Sequence, residues 1–472
     1  MKLQKFFLFF SSTLIVIFPF LLIKPATADI ACVLIGLFYL FYCLYKKDFS
    51  YFKNNFFYFF LIIFIYININ SFFSFKPLIS YNVSLSYLRI IIFIISLSFF
   101  FKERSNLKLY FYYSFFICVL ILFFDSFYQL FLGKNILGYL LNDNRVSSFF
   151  GEKLIMGSYV ARLLPLFLGI GFLLNLKKLN FFLLLISSTL VILSAERVAF
   201  AYFLICAFFY FYFSFDIKRS LYLLLIFLSL FFSLLIIFPK NFNRLIYHTY
   251  QQSKQNNSIL GLSYRHQLHF ITAYNMFSDK KIFGHGLKTF RYLCDDPKYS
   301  VQQKIIDNYA IVSPGEGRII YDIDNLIAKV LNSQNEIILE KTFGDLTKFL
   351  VTNGELVSKN QKLFYTYEFN DGCNTHPHNI YLQFLSELGI VGFFLFLTIF
   401  IYSLYSLIII IKKSFTKKLN NKEICTALVL LCIATSMFPV FPSGNYFNNW
   451  LLIISYLPIG FYLSLLKKKN ND

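Results

Sequence analysis

Two histidines flank a proline just before an apolar run, in the stretch Cys373-Asn374-Thr375-His376-Pro377-His378-Asn379-Ile380-Tyr381-Leu382. Imidazole titrates near neutral pH, so a histidine at the mouth of a helix can take the proton of an attacking hydroxyl. His378 is the candidate general base; the plainer alternative is a helix cap or an interface ring. His376 is either structural or a substrate contact. Upstream, Ser263-Tyr264-Arg265-His266-Gln267-Leu268-His269 begins a helical pattern in which Arg265 and His269 share a face at i, i+4. The turn Phe283-Gly284-His285-Gly286-Leu287-Lys288-Thr289-Phe290 follows. Arg162 falls well inside an apolar run, and Arg197 stands directly after Ser194-Ala195-Glu196. An arginine at bilayer depth costs roughly 2.5–3.5 kcal/mol, so each needs a partner, a wet cavity or a ligand. The alternatives for Arg197 and Arg265 are an orientation charge paired to Glu196 and a solvated loop charge. Arg145 and Glu152 precede the span that carries Arg162, and Arg89 is expected to snorkel from a helix end.

No metal site is assigned. Asp322-Ile323-Asp324 has the D-x-D form of some nucleotide-sugar transferases, but the pattern is common by chance and sits in a β stretch. Of eight cysteines, six fall in apolar runs and act there as small hydrophobes. Cys294 and Cys373 lie in the polar loop, and no CxxC or Cys/His metal spacing occurs.

The elements that must carry these residues are membrane helices. Of 472 residues, 57% are hydrophobic and 14% charged, well below the quarter expected of a soluble domain. Apolar runs long enough to cross about 30 Å of hydrocarbon recur at approximately 6–23, 28–45, 55–72, 84–101, 109–127, 154–175, 180–195, 197–215, 220–238, 386–411, 423–441 and 449–466. In lipid the backbone must satisfy its own hydrogen bonds, and the runs do not alternate as barrel strands would, so the fold class is an all-α polytopic membrane protein of about twelve helices. The net charge of +20 needs no nucleic-acid partner, because much of it sits in short loops. Lys46/Lys47, Lys102/Arg104/Lys108, Lys177/Lys178, Lys218/Arg219, the run Lys412–Lys422 and the tail Lys467–Lys469 fall on one side. The short turns on the other side carry fewer basic residues, which makes both termini cytoplasmic and 239–377 external. Lys2, Lys5, an apolar stretch and Ala26-Thr27-Ala28 could pass for a signal peptide; its length and Lys24 favour an uncleaved first helix.

Residues 1–238 thus read as helices one to nine, 239–377 as a large external loop, and 378–472 as helices ten to twelve. Within the loop, 239–293 is helical in pattern and about 311–370 is a small β insertion. Asn353–Leu363 resembles one hairpin of a biotinyl/lipoyl-type module, without a carrier lysine in the usual setting. The two loop cysteines, on an oxidising side, are expected to pair and to tie the glycine turn to the histidine motif.

The arginine that begins a helix, the F-G-x-G-x-x-x-F turn and His378-Asn379-x-x-Leu382, in that order before a terminal helix group, resemble the O-antigen ligase/polymerase superfamily. The likeness covers roughly 140–400. It implies a bacterial inner-membrane glycosyltransferase that takes a glycan from a polyprenyl diphosphate, with lipid A core sugar or another glycan as acceptor. Arg197 and Arg265 match the family's membrane-edge and loop arginines and would hold the diphosphate, whose oxygens suit a guanidinium fork. His378 would activate the acceptor in an inverting transfer, with Arg162, Arg145, His376, Asn379, Gly284 and Gly286 as substrate contacts. No cofactor is implied. A ligase is favoured over a polymerase because the H-N-x-x-L motif directly precedes a helix. An anion transporter is the rival from another class, but no internal repeat supports it.

Overall fold

A run of about twenty apolar residues satisfies its backbone only by coiling, and the chain does so repeatedly. The structure, a computed structural model, describes residues 2–142, 144–214, 217–247, 249–250, 264–301, 303–323, 326–343, 347–370 and 372–466. The first half supplies α1 (Lys2–Leu21), α2 (Pro25–Lys46), α3 (Asn55–Phe72), α4 (Pro77–Ser86), α5 (Leu88–Glu103), α6 (Leu107–Leu132), α7 (Met156–Leu173), α8 (Lys177–Ser194), α9 (Arg197–Ser214) and α10 (Ile217–Ile237). After the loop come α14 (Ile380–Thr416), α15 (Asn421–Ser436) and α16 (Asn449–Leu465); α11 to α13 belong to the loop. Each expected span contains a helix. Among the described residues, eight helical segments are long and apolar enough to cross a membrane, and Lys5–Leu21, Arg197–Phe213 and Asn449–Leu465 are shorter apolar helices.

Several expected boundaries move: the span expected at 109–127 runs on to Leu132, and the one expected at 423–441 ends at Ser436. The helix expected at 84–101 is preceded by α4, which starts at Pro77, where the missing N–H is no loss in a first turn. The tenth span starts at Ile380, not 386, and its 37 residues are interrupted at Gly389 (φ 67°, ψ −169°). At 1.5 Å per residue its length is roughly 55 Å, more than a bilayer core, so part of α14 stands clear of the hydrocarbon.

The bundle is centred on α7, which is buried nearly throughout and packs on α8, α9 and α15, while α16 packs on α5 and α2. Arg89 in α5 does not reach out alone; its guanidinium pairs with Asp29 at 2.9 Å, and Asn449 donates to the other Asp29 oxygen at 2.9 Å.

The loop contains α11 (Pro239–Phe242), a π-helical turn over Asn243–Tyr247, α12 (Tyr264–Asp279) and α13 (Phe290–Leu293). The β insertion follows with β1 (Gln303–Val312), β2 (Gly317–Asp322), β3 (Ile327–Leu331), β4 (Ile337–Thr342), β5 (Lys348–Phe349), β6 (Leu356–Val357) and β7 (Lys362–Asn370). Strand order is β1-β7-β5 in one antiparallel sheet and β4-β3-β2-β6 in the other. Ile319 and Tyr321 of β2 and Ala328 and Val330 of β3 alternate inward onto Phe343, Val357 and Phe364, a core separate from that of the bundle. The insertion begins at 303, earlier than the expected 311, because β1 is paired by the distant β7, with Gln303 opposite Asn370. Asp322 ends β2, while Asp324 of the D-x-D, residue 263 before Arg265 and the basic tail at 467–469 lie outside the described residues.

Candidate functional site

The glycine turn is seated on the break in α14. In an unbroken helix Ser386 O would accept from Ile390 N; here Ser386 O accepts from His285 N (3.0 Å) and Ile390 N donates to Lys281 O (2.8 Å). Gly286 N donates to Glu387 O at 2.7 Å. Gly284 has φ 65°, and a Cβ on it would stand 2.6 Å from the Glu387 carbonyl carbon and from Gly389 N. Only glycine on both sides lets two backbones approach this closely. Gly284 and Gly286 are thus spent on backbone docking, a structural use beside the substrate contact expected of them. His285 is buried, and its Nε2 donates to Met276 O at 3.0 Å, which fixes the turn to the end of α12.

Side chains reinforce this seat. Glu387 is fully buried, accepting from Gln383 Nε2 (3.0 Å) and Phe290 N (3.4 Å), and Gln383 also donates to Asn445 (3.0 Å). Glu387 was not among the expected residues; its only sequence signal is a carboxylate inside an apolar run, which is costly without partners.

The histidine motif stands at the N-terminus of α14. Asn379 is its N-cap, accepting from Tyr381 N (2.9 Å) and Leu382 N (3.1 Å) and donating to Pro439 O (2.7 Å). Its amide is therefore committed at both ends. His378 takes a left-handed backbone (φ 56°), and its carbonyl accepts from Ser443 N at 2.8 Å. His376 Nε2 lies 3.2 Å from Ser443 O, which makes it the donor, and Nδ1 lies 2.9 Å from Thr375 Oγ1.

Four of the six histidines gather here. The His378 ring centroid lies 4.2 Å from that of His376, 5.0 Å from His266 and 5.1 Å from His269. His266 and His269 come from α12 at i, i+3, one face of a helix. Burial is the first cause holding His378 down to about 3, with His376, His266 and His269 adding to it. Burial likewise holds His376 and His266 down to about 4. The rings of His266, His376 and His378 are therefore neutral at pH 7. Thr375 N donates to Asn374 Oδ1 (2.6 Å), which turns Asn374 Nδ2 toward His378 Nε2 at 3.1 Å. His378 Nε2 thus has an acceptor lone pair aimed at a donor, the form a base requires. Among the described residues, no three His, Cys, Asp or Glu side chains are arranged to hold a metal ion.

Arg197 begins α9 and is near enough for its charge to act on His266. Arg265 lies in the first turn of α12, one residue before His266, but its side chain is outside the described residues. The Glu196 carboxylate is taken up by the start of α7, accepting from Gly157 N (2.7 Å), Ser158 N (3.2 Å) and Ser158 Oγ (2.6 Å). Arg145 ties the loop before α7 to the end of α8 through Ser194 O (3.2 Å) and Leu154 O (3.5 Å). Arg162 is buried in the bundle; it donates to Ser436 O (3.4 Å) and lies over the Tyr202 ring at 5.0 Å. These partners meet its cost only in part, because the buried Arg162 Nε has no hydrogen-bond partner among the described residues. Arg162 is not among the residues gathered around His378.

The disulfide Cys294–Cys373, with Cα atoms 4.8 Å apart, closes the loop just before the histidine motif. The two cysteines are 79 positions apart and the whole β insertion lies between them, so the bridge holds the site together across it.

A family model described as O-antigen ligase matches residues 182–330, from α8 to β3. The match contains Arg197, Arg265, the histidines of α12 and the glycine turn, and it ends before His376 and His378. No curated protein matches the chain.

Proposed function

We propose, from the match of residues 182–330 to the O-antigen ligase family model, that this chain belongs to the O-antigen ligase/polymerase superfamily and is an inverting membrane glycosyltransferase of the ligase kind. The donor is a glycan on a polyprenyl diphosphate and the acceptor a sugar of the lipid A core, both presented on the periplasmic face. The termini are cytoplasmic and the loop 239–377 is periplasmic, following the basic-loop asymmetry. One observation carries this reading: the contact of His378 with the α12 histidines, beside Arg197 and the start of the Arg265 helix.

In this mechanism the acceptor hydroxyl oxygen attacks the anomeric carbon of the donor. The bond from that carbon to the diphosphate oxygen breaks, and a single displacement inverts the centre. The hydroxyl proton passes to His378 Nε2 once Asn374 yields that lone pair. The polyprenyl diphosphate leaves with its charge held by Arg197 and Arg265, whose planar forks fit phosphate oxygens. A diphosphate brought beside the rings favours their protonated form, which strengthens a base that is weak in the empty site. Asn379, Gly284 and Gly286 serve the reaction by fixing the two segments. His376, Arg145 and Arg162 remain proposed substrate contacts of lower rank, since each already has protein partners.

Deleting the gene and separating extracted lipopolysaccharide by electrophoresis tests the assignment. Free core with accumulated lipid-linked polymer is the ligase outcome. Core bearing one repeat would make the protein a polymerase, and an unchanged pattern would remove both.

A further inference from the structure

The loop that carries the glycine turn is fastened at the edge of the bilayer. α3 is apolar enough to cross the membrane and ends at Phe72, and the span that returns begins at Pro77, so residues 73–76 turn at that edge. The glycine turn is laid directly on this hairpin. Phe75 N donates to His285 O (2.9 Å), Ser74 Oγ to the same carbonyl (3.2 Å), Ser80 Oγ to Leu287 O (2.9 Å) and Asn70 Nδ2 to Phe283 O. A Cβ on Gly286 would stand 1.9 Å from Ser74 Oγ, so the two turns meet without a side chain between them. On the other flank Ile390 N of α14 donates to Lys281 O at 2.8 Å. Residues 281–287 therefore lie at the depth of the membrane edge, whichever way the chain crosses it.

The side chains exposed there are of two kinds. Phe72, Phe73 and Phe75 of the hairpin are exposed, and Ile282 and Phe283 are 59% and 51% exposed although they belong to a loop and not to a span. Phe72 and Phe73, with Asn68, Ile69 and Tyr81, line a shallow, mainly apolar cavity of 380 Å³. Beside these groups stand Lys76, Lys280 and Lys281, all exposed, with Lys76 Nζ 5.4 Å from the centre of the Phe75 ring. Among the described residues none of the three lysines pairs with an acid. Asp279, the acid next to Lys280, is taken up by Lys298 (2.6 Å) and Tyr299 (2.7 Å). Water disfavours the uncovered apolar groups and hydrocarbon disfavours the ammonium groups. A layer of anionic headgroups above acyl chains satisfies both.

We propose that this patch is a docking surface for an anionic phospholipid of the leaflet on the loop side. Lys76, Lys280 and Lys281 hold the headgroup, while Phe72, Phe73 and Phe283 and the cavity receive the acyl chains. The bound lipid holds the glycine turn at a fixed depth, and with it the seat of α14 on that turn.

The probes are phosphatidylglycerol and phosphatidylcholine brominated on their acyl chains, titrated into phosphatidylcholine nanodiscs that hold the full-length chain. Bromine quenches a tryptophan at close range, and the chain has a single tryptophan, Trp450, so the parent protein is the blank for Ile282→Trp. The added tryptophan should be quenched by both lipids. Half-maximal quenching should come at about 5-fold lower mole fraction for phosphatidylglycerol, the preference that one lysine gives at an anionic surface. Adding Lys76→Gln, Lys280→Gln and Lys281→Gln together should remove that preference and leave the quenching by brominated phosphatidylcholine. Phe73→Trp, on the α3 side, gives the same reading where Ile282→Trp fails to fold. Equal titrations with the two lipids while the lysines are intact overturn the headgroup site. Absence of quenching by either lipid in both tryptophan variants overturns the docking surface altogether.

Discussion

His269 and His378 stack their rings at 29° with centroids 5.1 Å apart, joining the helix before the glycine turn to the motif after the β insertion. Neither segment alone could bring these rings together. The contact is backed covalently by Cys294–Cys373 and by the backbone exchange between the glycine turn and the break in α14.

The backbone exchange predicts an unequal response of two glycines with left-handed φ. Gly284→Ala adds a Cβ 2.6 Å from backbone atoms as well as left-handed strain, while Gly354→Ala meets nothing within 4 Å. The strain alone costs about 1–2 kcal/mol. Gly284→Ala should lower the melting temperature by clearly more than Gly354→Ala and abolish transfer. Equal shifts would mean that the turn is not seated on α14 as described.

The disulfide should stabilise the loop chiefly by restricting its unfolded chain. Closing a loop of this length is worth about 4–5 kcal/mol on chain-entropy arguments. Mass spectrometry of non-reduced peptides should recover the Cys294–Cys373 pair, and Cys373→Ser should destabilise the loop by up to that amount. Free alkylatable thiols at both positions in freshly isolated membranes would defeat the pairing.

Acid should loosen the site. His266, His376 and His378 are held to about 4, 4 and 3 in the folded chain, below the ordinary 6.5. Between those values the unfolded chain binds more protons, so stability falls as pH drops from about 6.5 toward 3. Melting temperatures measured at pH 7.5, 5.5 and 4.5 should fall less steeply in a His266→Gln, His376→Gln, His378→Gln variant than in the parent. Identical slopes would show that the cluster is not buried as described.

Much of this was legible in the sequence, and the misses have physical causes. Apolar runs under the backbone constraint of lipid fix the helices, because no competing structure is open to them. His378 and Arg197 stand out because imidazole and guanidinium are scarce in such a chain. Asn379 is different: an Asn immediately before an apolar run is an N-cap signal, and its capping role was open to sequence reasoning. The partners of Glu387 and the break at Gly389 were not, since both depend on the segment 283–290 arriving from elsewhere in the chain. β1 was missed over 303–310 for the same reason, as its pairing partner lies in 362–370.

Orientation is checked independently of chemistry. Reporter fusions at Ser313 and Lys418 should show periplasmic-type and cytoplasmic-type activity respectively. The opposite pattern would put the histidine cluster on the wrong face for a periplasmic acceptor.

The central claim is that His378 and Arg197 work together on a polyprenyl-diphosphate-linked glycan. Purified protein in nanodiscs, given a radiolabelled lipid-linked glycan and core acceptor, reports glycan transferred and polyprenyl diphosphate released. The parent should form both in equal amounts. His378→Ala should be slower by about 10²–10⁴-fold, the range for a lost general base. Arg197→Ala should be as severely impaired, and Arg197→Lys should recover only part, since lysine lacks the bidentate fork. Full-rate transfer by His378→Ala, or no transfer by the folded parent protein, would contradict the account.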